Sequence, residues 1–273
     1  MPKQFGVIGY PVKHSMSPQM FEAAFFEYDI DAEYKQYEVS PDDLKDFIKS
    51  VRAEGLNGDE FGGLSVTIPH KTSIGSMLSS VDDHAKAIGA VNTIVVKSGG
   101  KLRGYNTDWL GAKKALEDHT ELEGRDVVVL GAGGAAAAVT YACVSAGARV
   151  TVLNRNASKA EKLAAQFGCE AGPLNDLFQH RCDVLVHTTS IGMHPNERES
   201  LVDPDFFKRG MVVFDIVYNP METRLVRDAK RAGCKIIPGY KMLLYQGEKQ
   251  FELWFDKKPR TEAMEEALLA NLK

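Results

Sequence analysis

No C-x-x-C pair occurs in this chain of 273 residues; its four cysteines, Cys143, Cys169, Cys182 and Cys234, lie scattered. Neither a zinc site nor a dithiol redox motif is therefore expected, and no metal at all. Thiols spread in this way are expected to stay reduced, as in a cytoplasmic protein. No apolar run approaches ~18 residues, so no membrane-spanning helix is expected. The N-terminus passes straight into a strand-like run and lacks the apolar core and small-residue cleavage site of a secretory leader. An excess of basic charge is missing too: Lys and Arg number 33 against 37 Asp and Glu, a net of -4, with no basic stripe interleaved with aromatics. A nucleic-acid partner is not expected.

What the chain has is an α/β rhythm, over a length that allows one large or two modest domains. Phe5 to Tyr10 is a short apolar run stopped by Pro11, the pattern of a buried strand leaving into a loop. The loop carries His14, Ser15 and Ser17, and Pro18 suits the first position of a helix, which makes Ser17 the expected N-cap. Ser15 and Ser17 then stand beside a helix N-terminus beyond a strand end, where a carboxylate is well received, or they satisfy only the local backbone. Tyr34 to Val39 reads as a second strand, Pro41 opens a helix, and the run from Gly62 is a third strand ended by Pro69. This succession predicts a parallel sheet with right-handed crossovers, whose ligands collect outside the carboxyl ends of its strands. Ser15, Ser17, Thr67 and Lys71 all fall at that edge.

Gly89 to Val96 enters a further strand, turned at Ser98 to Lys101 into an antiparallel return over Leu102 to Tyr105. Asn92 can bond its own backbone or, within a convergent polar set, hold a substrate hydroxyl with both donor and acceptor. The stretch Gly104 to Gly111 joins the two halves of the chain. Thr107 suits an N-cap there, and Asp108 suits the positive end of a helix dipole. Asp108 is either that simple first-turn acid or a carboxylate placed where two domains can enclose a ligand.

The second half opens with Arg125 to Leu130, a continuous apolar strand running into Gly131, Ala132, Gly133, Gly134, Ala135 and Ala136. This is G-x-G-x-x-A between a strand and an alanine-rich helix: Gly131 for a tight turn, Gly133 for close approach of a pyrophosphate, Ala136 for helix-on-sheet packing. The next strand, Arg149 to Leu153, ends at Asn154 and Arg155, where a cofactor-selecting residue belongs. An amide and a guanidinium stand there in place of a carboxylate, and Arg155 can pair with a 2'-phosphate, which predicts NADP. Further strands are expected at Asp183 to His187, Met211 to Asp215 and Cys234 to Pro238. A turn at Val217 to Pro220 leads into a Thr223 to Ala232 helix. A long helix from Gly239 through Trp254 carries Gln246, and Thr261 to Leu272 forms a terminal one.

Several short motifs in one order resemble the shikimate dehydrogenase family, from Phe5 to about Phe255. They are H-S-x-S-P at His14 to Pro18, V-T-I-P-H-K at Val66 to Lys71, G-A-V-N-T at Gly89 to Thr93 and N-T-D at Asn106 to Asp108. G-A-G-G-A follows at Gly131 to Ala135, N-R at Asn154 and Arg155, V-Y-x-P at Val217 to Pro220 and M-L-x-x-Q at Met242 to Gln246. The resemblance implies an α/β substrate-binding domain with a mostly parallel sheet over residues 1–108, completed by 243–273. It implies a Rossmann-type doubly wound dinucleotide-binding domain over 109–242. It further implies reversible NADPH-dependent reduction of 3-dehydroshikimate to shikimate, with Lys71 and Asp108 as the acid–base pair.

By the same resemblance Ser15 and Ser17 hold the substrate carboxylate, and Thr67, Asn92, Asp108 and Gln246 its ring hydroxyls. Tyr218 lies near nicotinamide and carboxylate. The cofactor falls to Gly131, Ala132, Gly133, Gly134, Ala135, Asn154, Arg155, Thr189, Val217 and Gly239. Three positions depart from the family pattern. Ser65 replaces an asparagine, which shortens one substrate contact; Ala137 replaces a frequent arginine; His187 replaces an asparagine. The protein is expected to be a monomer or homodimer acting on a small molecule. The alternatives are a quinate or quinate/shikimate dehydrogenase and, from another class, a cofactor-sensing regulatory protein without turnover.

Overall fold

The computed structural model describes residues 2–56 and 61–272. Chain contacts divide it into two compact units, Met1–Thr107 with Gln246–Asn271, and Asp108–Tyr245 with Leu272–Lys273. In chain order the first unit contributes β1 (Lys3–Gly9), α1 (Ser17–Glu27), β2 (Ala32–Glu38), α2 (Leu44–Leu56), β3 (Phe61–Val66), β4 (Ser80–Val81), α3 (Asp83–Ile88), β5 (Thr93–Lys97) and β6 (Lys101–Tyr105). Its sheet runs β2-β1-β3-β5-β6-β4. β1 pairs parallel with β2 and β3, and β4 with β6, while β5 is antiparallel to both β3 and β6.

One face of this sheet packs on α2 through Ile8, Leu64, Val66 and Ile94 against Leu44, Ile48 and Val51. Aromatic rings cover the other face, where Phe5 meets Phe25, Trp254 and Phe255, and Phe21 stacks on Tyr34. Gly63 is required there, because a Cβ on it would collide with the Trp254 indole. That indole donates to Ile94 O at 3.0 Å, which ties the C-terminal segment to β5.

The second unit continues with α4 (Asp108–Glu117), β7 (Asp126–Leu130), α5 (Gly134–Ser145), β8 (Arg149–Asn154), α6 (Ala157–Phe167), β9 (Glu170–Pro173), β10 (Val184–His187), β11 (Val212–Asp215), α7 (Arg224–Arg231) and β12 (Lys235–Ile237). α8 (Tyr240–Phe255) crosses from this unit into the first, and α9 (Thr261–Asn271) belongs to the first. The order β12-β11-β10-β7-β8-β9 is parallel throughout, a doubly wound sheet that reverses direction at β7. Val127, Val128, Val129 and Leu130 are all buried, as a strand covered on both faces requires.

The expected α/β architecture is the one found, with local differences. α2 begins at Leu44, not Pro41, because Ser40 and Asp43 close a turn first, Ser40 Oγ donating to Asp43 Oδ2 at 2.6 Å. The edge strands β4 and β9 carry no alternating pattern in the sequence; two and four residues long, they exist by pairing with a neighbour.

Candidate active site

In the first unit the carboxyl ends of β1 and β3 open into the segments that bear Ser15, Ser17, Thr67 and Lys71. α1 starts at Ser17 itself with Met16 in the capping position and no side-chain cap, which corrects the expected role of Ser17. Ser15 Oγ instead accepts from Ser17 N at 3.3 Å, and the Ser17 side chain is buried. Lys71 sits in a short 3-10 turn, His70–Thr72, braced on two sides. The buried His70 ring lies 2.7 Å from Val39 O, and Lys71 O accepts from Val91 N at 2.7 Å. Thr67 N donates to Ile8 O at 2.9 Å, holding Thr67 beside the end of β1, and Ser15 N donates to Val12 O at 3.0 Å in the loop that follows β1.

Asn92 is the centre of a buried polar set. Its Oδ1 accepts from Thr93 Oγ1 and Thr107 N, both at 2.7 Å, and its Nδ2 lies 2.9 Å from Thr107 Oγ1 and 3.1 Å from Gln246 Oε1. Both ends of the amide therefore have protein partners, and a ligand hydroxyl reaching Asn92 joins or replaces them. Gln246 is buried in the second turn of α8, not solvated. Thr107 precedes α4, whose first residue is the buried Asp108. Ser65 is buried on β3 between Tyr34 Oη and Gln250 Oε1, each at 2.6 Å.

In the second unit β7 delivers the glycine turn to α5. Gly131 has φ of +118°, and a Cβ there would press on the Thr188 hydroxyl, itself held to Leu130 O at 2.7 Å. Gly133 caps α5 without any side-chain hydrogen bond, and a Cβ on it would meet nothing within 4 Å. The start of α5 is thus uncapped by any side chain and uncrowded at Gly133, the arrangement that receives an anionic pyrophosphate. Ala132, Gly134 and Ala135 complete the turn. β8 ends at Asn154, whose Nδ2 donates to Asn156 O at 3.0 Å, and Arg155 is exposed between them. Asn156 caps α6 by accepting from Lys159 N. The residues present fit an adenine dinucleotide with an extra phosphate.

At the ends of β10 and β11 His187 is paired with Asp215, Nδ1 to Oδ1 at 2.8 Å, both 1% exposed. The other ring nitrogen lies 2.6 Å from Thr189 Oγ1, and Thr223 Oγ1 donates to Asp215 Oδ2 at 2.6 Å. Val217 N donates to Asp215 Oδ1 at 3.1 Å, so one carboxylate organises Thr189 and the Val217 turn together. Tyr218 follows, half-buried. Gly239 packs so close that a Cβ would strike Val217 O and Asp215 O.

Sequence reasoning missed Gln250, Tyr34 and Asp215. Gln250 lies four residues after Gln246, one helical turn along the same face, and that spacing was the available signal.

A doubly wound parallel sheet with an uncapped glycine turn, joined in one chain to an α/β unit with lysine and hydroxyls beyond its strand ends, defines a dinucleotide-dependent dehydrogenase. The chain belongs to the shikimate dehydrogenase family. Residues 7–94 match the shikimate dehydrogenase substrate binding domain, 112–223 the shikimate / quinate 5-dehydrogenase family, and 239–269 the shikimate 5'-dehydrogenase C-terminal domain. The shikimate dehydrogenase (NADP(+)) of Pyrococcus abyssi is 45% identical, over 99% of this chain and 98% of that protein. A crystal structure of a shikimate dehydrogenase in complex with NADP+ superimposes with a TM-score of 0.92 at 37% identity, covering 100% of this chain and 96% of that one. The Thermus thermophilus shikimate 5-dehydrogenase in complex with NADP(H) and shikimate gives 0.90 at 36% identity, covering 99% and 100%.

Proposed function

We propose that this chain is a shikimate dehydrogenase that reduces 3-dehydroshikimate to shikimate reversibly with NADPH. The observation that carries the reading is likeness along the whole length, 45% identity over 99% of the chain to an NADP(+) enzyme of that activity, which includes both units. In this reading residues 1–108 and 243–273 form the substrate domain and 109–242 the cofactor domain. The α5 N-terminus with Gly131, Ala132, Gly133, Gly134 and Ala135 holds pyrophosphate, and Arg155 beside Asn154 takes the 2'-phosphate. Thr189, Val217 and Gly239 line the path of the nicotinamide half. When bound, the reduced nicotinamide supplies the hydride.

The chain's own groups must supply the proton at the ketone oxygen. Lys71 gives it as an ammonium and takes it back as an amine in the reverse direction, while Asp108 orients Lys71 and accepts a ring hydroxyl. Ser15 and Ser17 receive the carboxylate; Ser65, Thr67, Asn92 and Gln246 receive hydroxyls; Tyr218 closes the carboxylate side. The reading places the protein in the cytoplasm, as a monomer or homodimer, with neither nucleic acid nor membrane as a partner. Among the described residues no helix is long and apolar enough to cross a membrane.

The test is NADPH absorbance followed in purified protein on addition of 3-dehydroshikimate, with quinate and shikimate compared in the oxidative direction. Ketone-dependent loss of NADPH is expected, with shikimate preferred. NADPH bound but never consumed would favour a cofactor sensor; a preference for quinate would move the chain to the quinate enzymes.

A further inference from the structure

A run of buried side-chain hydrogen bonds crosses the first unit, and its polarity can be worked out from one backbone carbonyl. Gln250 Nε2 lies 3.2 Å from Asn92 O and 3.0 Å from Thr93 Oγ1. A carbonyl only accepts, so the amide nitrogen must face it, and Gln250 Oε1 must face the other way, onto Ser65 at 2.6 Å. Oε1 also only accepts, so Ser65 donates to it. With that proton committed, the bond of 2.6 Å between Tyr34 and Ser65 has the phenol as donor. Burial pushes the Tyr34 phenol well above its usual pKa, so its proton is present at any working pH.

The other end is equally directed. Thr93 Oγ1 accepts from Gln250 and gives its proton to Asn92 Oδ1 at 2.7 Å, which leaves the Asn92 Nδ2 side turned to Thr107 and Gln246. Tyr34, Ser65, Thr93, Asn92 and Gln250 are all buried, Gln250 at 1% exposure. Water cannot correct a reversed link there, and a mispaired end bears the full desolvation cost.

We infer that Gln250 is a positioning residue for the substrate site, acting through Ser65 on one side and through Thr93 and Asn92 on the other. Its amide sets the direction of the whole run. Ser65 then meets a ligand as an acceptor only, so it holds a hydroxyl that donates and disfavours a carbonyl oxygen in the same place. The inference rests on the dehydrogenase reading above.

Gln250→Met keeps the volume and removes both polar ends. It is expected to raise KM for 3-dehydroshikimate roughly 5- to 20-fold, the loss of one or two neutral hydrogen bonds, while KM for NADPH stays put. Ser65→Ala alone should raise the same KM, and the double variant should raise it by less than the product of the two single effects, since Gln250 acts in part through Ser65. An unchanged KM for 3-dehydroshikimate, or equal rises for both substrates, would overturn the inference. If Gln250→Met fails to fold, Tyr34→Phe deletes one O–H at the far end and must shift the same KM upward alone; no shift overturns the inference. A wild-type protein that never consumes NADPH would sink the reading beneath it as well, whereas an active wild type with an indifferent variant sinks the inference only.

Discussion

Lys71 owes its place to the backbone on either side of it. Its own carbonyl is fixed to Val91 N, and the neighbouring His70 is buried and joined to Val39 O. A turn held in that way survives loss of one partly exposed side chain, so Lys71→Ala separates chemistry from folding. We expect kcat to fall about 10²- to 10⁴-fold with KM nearly unchanged, the signature of a missing general acid. Stopped-flow or steady-state NADPH oxidation reads it directly, and a wild-type kcat would remove Lys71 from the reaction. Asn92 follows the opposite logic: with partners at both ends of its amide, its replacement would disturb the buried set and confound binding with stability.

At the scale of elements, what could be read from the sequence was whatever a local rule governs. The glycine turn between β7 and α5 was legible because Gly131 at φ +118° and an uncapped helix start need those small residues in that order. The hairpin from β5 to β6 was legible from its Gly-Gly turn. Gln250 was legible only as a residue one helical turn beyond Gln246; its burial and its bonds to Ser65 and Thr93 were not, because they exist only once β3 and β5 are laid against α8. Ser17 as a cap was misread because the helix begins one residue earlier, with Met20 N bonded to Met16 O, which makes Ser17 its first residue and not its cap. The end of β8 shows the same divide: Asn154 and Asn156 spend their side chains on the local turn, while Arg155 between them stays exposed. A guanidinium with no structural duty there is free for a phosphate. Arg155→Ala should therefore lower kcat/KM with NADPH about 10- to 100-fold, one charge-assisted pair, and leave the value with NADH alone. Equal losses with both nucleotides would contradict the assignment.

The whole molecule is threaded so that the first unit is closed by the last part of the chain. Phe251, Met264 and Leu268 are fully buried in it, and Trp254 and Phe255 complete the ring cluster around Phe5 and Phe25. Burying a large apolar side chain contributes about 1.5–3 kcal/mol, so the three fully buried ones alone approach the net stability of a typical domain, about 5–15 kcal/mol. Gly63 sharpens the dependence, since its missing side chain leaves a void unless Trp254 fills it. The second unit has its own parallel sheet and its own core of Val128, Leu130, Leu185 and Val213. A chain cut after Tyr245 should consequently lose protease resistance through residues 2–107 while a fragment beginning near Asp108 survives and still binds NADP+. Limited proteolysis with and without NADP+, read by mass, makes the comparison. Survival of the first 107 residues without α9 and the later turns of α8 would mean that the aromatic cluster is an ornament on that sheet and not its second wall.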